Sequence, residues 1–436
     1  MKVLYVASEA LPFKASGGLG DVAGSLPQAL RKRLIGARVV MPLYDTISQE
    51  LKDTMKFVTS ISVPVAWRRQ YCGVFEAKAG GVIYYLLDNQ YYFKRDGLYG
   101  YYDDAERFAF FARAVLEIIP HIDFKPDIIH CNDWQSAASI IFLKGMYSGN
   151  EKFRKIKTVF TIHNIEYQGK YSFDDDVIED VFGISMNDAH LFEYSGCINI
   201  MKGAMEASNI VSTVSPTYAE EILTAEYAHG LEHEVARVKE EGKLLGILNG
   251  IDTTFYNPKR DKALFKTFDK ADISGKKVNK SELQAMLGLP VNPDVPVIGM
   301  VSRLVAHKGL DILKNAFNEL MQLDVQLVVI GTGDAYYEGF LTDMQAKYAN
   351  KVKVILAFNQ DLARKIYASS DLFLMPSKSE PCGLSQMIAS RYGAIPLVRE
   401  TGGLKDTVIP FDGENGGTGF NFQTFSRGDL LDAMRR

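Results

Sequence analysis

The sequence predicts an α/β protein built from two doubly wound domains, each a parallel sheet covered by helices on both faces. Three observations carry that prediction. Short runs of β-branched residues alternate with longer amphipathic stretches, the signature of βαβ units. The alternation breaks once, near residues 255–290, and then resumes. The length of 436 residues is what two or three domains need.

In chain order, strands are expected at Val3–Ala7, Ala37–Met41, Val82–Leu87, Asp127–His130, Thr158–Ile162 and Ile210–Val214. Helices are expected at Asp21–Lys32, Asp103–Ile118, Trp134–Lys144 and Thr217–Ala225. The stretch Val63–Leu87 is dense in strand formers and reads as a hairpin insertion. After Asn257-Pro258, residues 259–281 are rich in Lys and Asp and read as a surface connection, followed by a capped helix start at Ser281-Glu282-Leu283-Gln284. The second domain then runs strand Val297–Ser302, helix Gly309–Met321, strand Gln326–Ile330, helix Tyr336–Tyr348, strand Val352–Leu356, helix Leu362–Ala368 and strand Leu372–Met375. The domains are accordingly placed at 1–257 and 258–436, and a cleft between such domains is a natural ligand site.

Composition narrows the function classes. At 47% hydrophobic and 23% charged residues the chain is ordinary globular material. The net charge of −4 offers no general attraction for nucleic acid or an anionic membrane. Cys72, Cys131, Cys197 and Cys382 show no CxxC spacing, which argues against a disulfide framework or a structural zinc site and fits a reducing cytoplasm. The apolar start, Met1–Ala7, is too short for a signal peptide and is interrupted by Glu9; no run is long enough to span a bilayer. A cytoplasmic enzyme without membrane or nucleic-acid partners is expected.

Chemistry concentrates where strands give way to loops, the ligand-binding edge of open α/β sheets. Ser377-Lys378-Ser379-Glu380-Pro381-Cys382-Gly383-Leu384-Ser385-Gln386 follows the apolar run Leu372–Met375 and precedes a helical pattern. Glu380 is placed to grip a sugar hydroxyl while the amides of Cys382, Gly383 and Leu384 bind others, which suggests a carbohydrate-handling enzyme. Arg303 and Lys308 lie five residues apart after another strand and suit a diphosphate, though an exposed basic turn would look the same. Gly17 and Gly18 sit in a strand–loop–helix segment that can approach a phosphate or simply turn the chain. Gly331 reads as a nucleotide contact or a turn, and Phe358 as a purine stack or a core residue. Thr401-Gly402 supplies a flexible strand-exit backbone. His163 follows a strand where a lone histidine is usually structural, and Asp133-Trp134 reads as a sugar grip or as a helix cap with a packed aromatic.

Taken together, Ser8–Pro27, His130–Trp134, His163–Gly169, Thr213–Pro216, Leu248–Asp252, Ser302–Asp311, Glu380–Gln386 and Thr401–Val408 resemble bacterial glycogen synthase and plant starch synthase in order and spacing, over essentially the whole chain. The resemblance implies the GT-B fold: two Rossmann-like domains facing across a cleft, the second holding most of a sugar nucleotide. It implies retaining transfer of glucose from ADP-glucose to the non-reducing 4-OH of glycogen or another α-1,4-glucan primer, without metal or cofactor. Arg303 and Lys308 would neutralise the departing diphosphate. Glu380 and residues 382–384 would hold the glucose hydroxyls, and His163 would stand beside the sugar. Gly17 and Gly18 would meet the diphosphate, with Asp21 near the same pocket. Asp133 and Trp134 would lie near sugar or acceptor, Asn249 on the hinge side, Phe358 on adenine, and Thr401 and Gly402 beside ribose and phosphates. The leaving phosphate itself would deprotonate the incoming hydroxyl on the same face, so no glycosidase-like carboxylate pair is required.

Two departures from the family pattern are expected to matter. Ala15 stands where the first loop usually carries lysine, and Lys14 lies one residue earlier. Either Lys14 reaches the phosphate from that shifted position, or the first loop offers the phosphate no ammonium. The sequence ends at Arg436, ahead of the terminal segment with an Asp-Phe-Ser-Trp motif whose helix crosses back to the first domain in relatives, and closure is expected to be weaker for it. A glucan phosphorylase would need a lysine-bound pyridoxal phosphate site, which is not assignable here. A sugar-nucleotide epimerase would lack the Glu380–Leu384 and Asp133-Trp134 set. A catalytically weak glucan- or nucleotide-binding protein of the same fold is the alternative reading.

Overall fold

The computed structural model describes residues 1–414 and 416–436. The chain divides into two compact units, one of Met1–Val214 with Ala219–Ile247 and one of Ser215–Tyr218 with Leu248–Arg436. The stretch 248–257 therefore packs with the second unit, although its sequence places it in the first.

The first unit is organised by a nine-stranded sheet in the spatial order Leu244–Gly246, Ile210–Thr213, Lys157–Ile162, Ile128–Asn132, Lys2–Val6, Gly36–Pro42, Val82–Asp88, Arg68–Ala79, Lys56–Val65. Pairing is parallel from Leu244–Gly246 as far as Val82–Asp88, and the last two strands join antiparallel. The chain first builds outward from Lys2–Val6 through Gly36–Pro42. It later returns to the opposite side of Lys2–Val6 with Ile128–Asn132. The carboxyl ends of those two neighbours thus flank a topological switch point, where open sheets leave a crevice. Ala7-Ser8-Glu9 leaves one side of it and Asp133-Trp134 the other.

The second unit repeats the logic with an all-parallel six-stranded sheet, ordered Val352–Ile355, Gln326–Ile330, Val297–Val301, Leu372–Met375, Ile395–Arg399, Phe420–Phe422. Its strands are apolar on both faces, as a doubly covered parallel sheet requires. Ile298, Met300, Leu327 and Val329 pack with Leu313 and Phe317 on one side. Val297, Val328 and Ile330 alternate to the other side with Leu283 and Ile366. The switch point falls between Val297–Val301 and Leu372–Met375, so the 302–308 and 376–384 loops emerge side by side.

Several boundaries differ from expectation for identifiable reasons. The first helix starts at Gly18, not Asp21, because the glycine loop is held in place before Asp21 is reached. Residues 259–281 are not a surface connection. Leu264 and Phe268 are buried in a cluster with Phe373 and Tyr392, and buried Asp261 pairs with Arg364 (3.1 Å) and accepts from Tyr392 (2.6 Å). The helix there spans Ser274–Met286, so Ser281 lies inside it, its hydroxyl donating to the Val278 carbonyl rather than capping. Thr217–Ala225 is two short helices, Pro216–Glu221 and Ala225–Ala228, broken at Thr224, whose backbone is extended. The expected hairpin insertion is a meander of Lys56–Val65 and Arg68–Ala79 added to Val82–Asp88, which is itself a full member of the parallel sheet.

Candidate active site

At the second unit's switch point, Lys308 and Glu380 meet. Lys308 Nζ donates to both carboxylate oxygens, at 2.9 and 2.8 Å. Both side chains are largely withdrawn from water, 17% and 8% exposed. Ser377 Oγ adds a third bond to Glu380 Oε2 at 3.0 Å. The ammonium keeps an N–H, and the carboxylate a lone pair, for a ligand. Arg303, on the same loop as Lys308, is exposed and has no ion pair among the described residues. The sequence-predicted cations and carboxylate are therefore assembled, with one cation anchored and the other at liberty to meet an anion.

Glycines make this assembly possible. Gly309 adopts φ +80, and a Cβ there would stand 2.0 Å from the Pro376 carbonyl oxygen, so the Lys308 loop is pressed on the Glu380 loop. The Lys378 amide donates to the His307 carbonyl, at 2.8 Å, across the same seam. Gly331 supports the Arg303 loop from the other flank: its Cβ would lie 1.8 Å from the Ser302 carbonyl oxygen. Leu304 pairs with Gly333 in a bridge beside it. The visible role of Gly331 is thus close backbone approach. Gly402 likewise adopts φ +45 against the Glu380 carbonyl, and the Gly403 amide donates to the carbonyls of Glu380 and Pro381 at 3.2 and 3.1 Å. Thr401 is fully buried at the start of that turn.

The 382–384 loop is fastened by its carbonyls, which leaves its amides available. Gln386 Nε2 donates to the Cys382 and Gly383 carbonyls at 3.1 and 2.9 Å. Ser215, which packs with this unit, donates to the Pro381 carbonyl at 2.7 Å. Gly383 takes φ +72, which a side chain would resist. Among the described bonds, the amides of Cys382, Gly383 and Leu384 donate to no protein acceptor. Burial pushes the Cys382 thiol up to about 12, so it is no thiolate nucleophile. The Asn249 amide points at that sulfur, which places Asn249 beside the 382–384 loop. Phe358 is 82% exposed after the edge strand Val352–Ile355, so it is not a core residue.

The first unit's crevice is built differently. Asp133 adopts φ +54 at the strand exit and accepts from the His163 amide at 2.7 Å and the Asn164 amide at 3.3 Å. Burial nevertheless pushes its carboxyl up to about 7. Asn132 sets the state of His163. Its Nδ2 faces the Val6 and His130 carbonyls at 3.0 and 3.2 Å, so its oxygen must face Tyr5 OH and His163 Nε2, at 2.8 and 3.0 Å. His163 therefore carries its proton on Nε2 and presents a bare Nδ1. Burial, with His130 nearby, lowers its pKa to about 3, so the ring is neutral at ordinary pH.

Trp134 begins the helix Trp134–Lys144 and packs edge-on against Phe108 at 5.2 Å and Tyr171 at 6.1 Å. Gly169 lies so close that a Cβ would stand 2.6 Å from the indole. The visible role of Trp134 is packing that orients the helix behind Asp133. Lys14 Nζ reaches the Thr46 carbonyl at 3.4 Å. Gly17 and Gly18 are exposed at the helix start, and Asp21 lies in its first turn, where the helix dipole favours an acid.

Sequence reasoning missed Glu9, Asn132, Ser377 and Gln386, which hold the predicted residues without being at a loop apex. Only Gln386 carried a readable signal, its spacing of one helical turn from Cys382 and Gly383. Among the described residues no group of three or more His, Cys, Asp or Glu is placed to hold a metal ion, and no helix is long and apolar enough to cross a membrane.

Known proteins resemble this chain over its whole length. Residues 2–237 match the starch synthase catalytic domain family, and residues 287–436 match glycosyl transferases group 1. The whole chain aligns with glycogen synthases of Geobacillus thermodenitrificans at 51% identity, covering 90% of that protein, and of Alkaliphilus metalliredigens at 48%, covering 91%. The catalytic domain of starch synthase IV from Arabidopsis thaliana, solved with ADP and acarbose, superposes over the whole chain and 91% of its own with a TM-score of 0.92 at 34% identity. Sucrose-phosphate synthase from Thermosynechococcus elongatus shares the fold alone, at a TM-score of 0.61 and 16% identity. With two Rossmann-like α/β units of the GT-B type, this chain belongs to the glycogen synthase and starch synthase family of glycosyltransferases.

Proposed function

We propose that the protein is a glycogen synthase: a retaining glucosyltransferase that moves glucose from ADP-glucose to the non-reducing 4-OH of an α-1,4-glucan. The observation that carries this reading is the Lys308–Glu380 pair, largely withdrawn from water at the second sheet's switch point, with exposed Arg303 on the Lys308 loop. In this reading Glu380 and the amides of 382–384 orient the glucose. Lys308 and Arg303 take up the charge that grows on the diphosphate as its bond to C1 breaks. A diphosphate oxygen accepts the proton of the acceptor 4-OH while the acceptor oxygen bonds C1 on the same face, so configuration is retained. His163, neutral, offers dipoles and a lone pair but no proton at Nδ1. Exposed Phe358 supports a stacked purine, and the ADP bound by the starch synthase IV relative favours adenine. No metal or cofactor is assigned a step, and a cytoplasmic location accords with a soluble sugar-nucleotide donor.

The test is ADP release from ADP-glucose with glycogen, run beside UDP-glucose. ADP formation that requires glycogen and elongates it is the expected result. Tight binding of glycogen or ADP without turnover would favour the alternative, a weak glucan- or nucleotide-binding protein. Rapid trapping of a covalent glucosyl adduct on a side chain would exclude the same-face route.

A further inference from the structure

Glu9 is 2% exposed, yet it is a carboxylate just beyond the core strand Lys2–Val6. Its oxygens are committed to one loop. Oε2 accepts from the Ser16 amide at 2.7 Å and the Ser16 hydroxyl at 2.6 Å, and Oε1 accepts from the Gly20 amide at 3.1 Å. The Gly17 amide also points at it. Gly20 permits this closeness, because a Cβ there would lie 2.3 Å from the Ala15 Cβ.

Burying a carboxylate without a cation is costly, and burial does raise the pKa of Glu9. Its other neighbours include Tyr44, Tyr99 and Asp133, which do not neutralise it. An apolar residue would fill the space at less cost. What an apolar residue would not do is satisfy four donors of residues 16–20 at once and fix where the loop's remaining amides point. With Ser16, Gly17 and Gly20 occupied, the amides left over are those of Gly18 and Leu19. They lie in the first turn of a 15-residue helix, where no intrahelical acceptor exists.

We infer that Glu9 is the positioning residue of the glycine loop: it ties down the amides of Ser16, Gly17 and Gly20 so that Gly18 and Leu19 are presented to the diphosphate of the sugar nucleotide. The assignment rests on the function proposed above. It narrows the sequence-based expectation, since the Gly17 amide is spent inside the protein and only Gly18, of the two glycines, has an amide to offer.

The test uses the full chain with Glu9→Gln, Glu9→Asp and Ser16→Ala. Glutamine turns an NH2 toward one set of donors, so kcat/KM for ADP-glucose should fall on the order of 10- to 100-fold. Aspartate keeps the charge and should restore part of it. Ser16→Ala removes one surface hydroxyl and should cost roughly 3-fold. The Kd for ADP should weaken in the same order, while the Kd for adenosine, which has no phosphate, stays the same. General damage would weaken adenosine and ADP alike and would refute the assignment. Should Glu9→Gln fail to fold, Ser16→Ala and Glu9→Asp still decide through the ADP-to-adenosine comparison. Active wild type with unchanged ADP binding in the folded variants overturns this inference alone; wild type that releases no ADP overturns the functional reading beneath it.

Discussion

The two switch points share a topology but hold charge in opposite ways. In the second unit the crevice is cationic and partly open: Lys308 is fixed by Glu380, and Arg303 is exposed. In the first unit the crevice is lined by two acids and a neutral histidine, each satisfied by backbone, hydroxyl or side-chain amide groups, namely Glu9 by residues 16–20, Asp133 by the 163–164 amides and His163 by Asn132. The lesson is that a parallel sheet supplies the place and not the chemistry. One crevice is arranged to take up negative charge, and the other to hold its own acids on backbone and hydroxyl donors.

That contrast is broken most severely at Lys308. Lys308→Ala should lower kcat/KM for ADP-glucose on the order of 100- to 1000-fold and also lower Tm, because Glu380 is left buried with only Ser377. Arg303→Ala should cost on the order of 100-fold in steady-state assays yet leave Tm unchanged, since no described ion pair is removed. Equal thermal effects in the two variants would erase the distinction between anchored and free cation. Phe358→Ala should raise KM roughly 10-fold at unchanged Tm, the value of an aromatic–base stack; an unaltered KM would remove it from the nucleotide site.

The first crevice predicts smaller and differently shaped effects. His163 is held below its ordinary pKa, at about 3, so the fold favours its neutral form. Stability from that preference is complete above about pH 6.5 and drains away as pH falls toward 3. His163→Gln should therefore lose less Tm than wild type between pH 6.5 and 4, and the activity profile from pH 6 to 8 should keep its shape. A limb near pH 6.5 that vanishes in the variant would show a titrating histidine instead. Lys14→Ala should change kcat/KM by no more than about 3-fold, because the ammonium is turned to the Thr46 carbonyl. A larger drop would mean that Lys14 does take the place of the lysine displaced by Ala15.

Much of this is legible in the residues. Strand Leu372–Met375, strand Gln326–Ile330 and helix Trp134–Lys144 coincide with expectation because apolar period and length agree over each. Helix Ser274–Met286 departs from expectation because its first turn is polar and the burial of the segment before it depends on the distant strand containing Phe373. Among site residues, Arg303, Lys308 and Glu380 can be picked out because their side chains are charged and stand at strand exits. Glu9 and Asn132 cannot, because each acts through a contact whose partner is set by how loops fold back.

Local composition and periodicity determined the α/β class, the tandem sheets and the loops that carry charge, since those follow from which residues must be buried and which cannot be. Only the tertiary structure decided which cation is paired, which amides are spent, which tautomer His163 adopts and that Trp134 packs rather than protrudes. Such properties depend on distances of a few ångströms between segments far apart in the chain, and no local pattern encodes them.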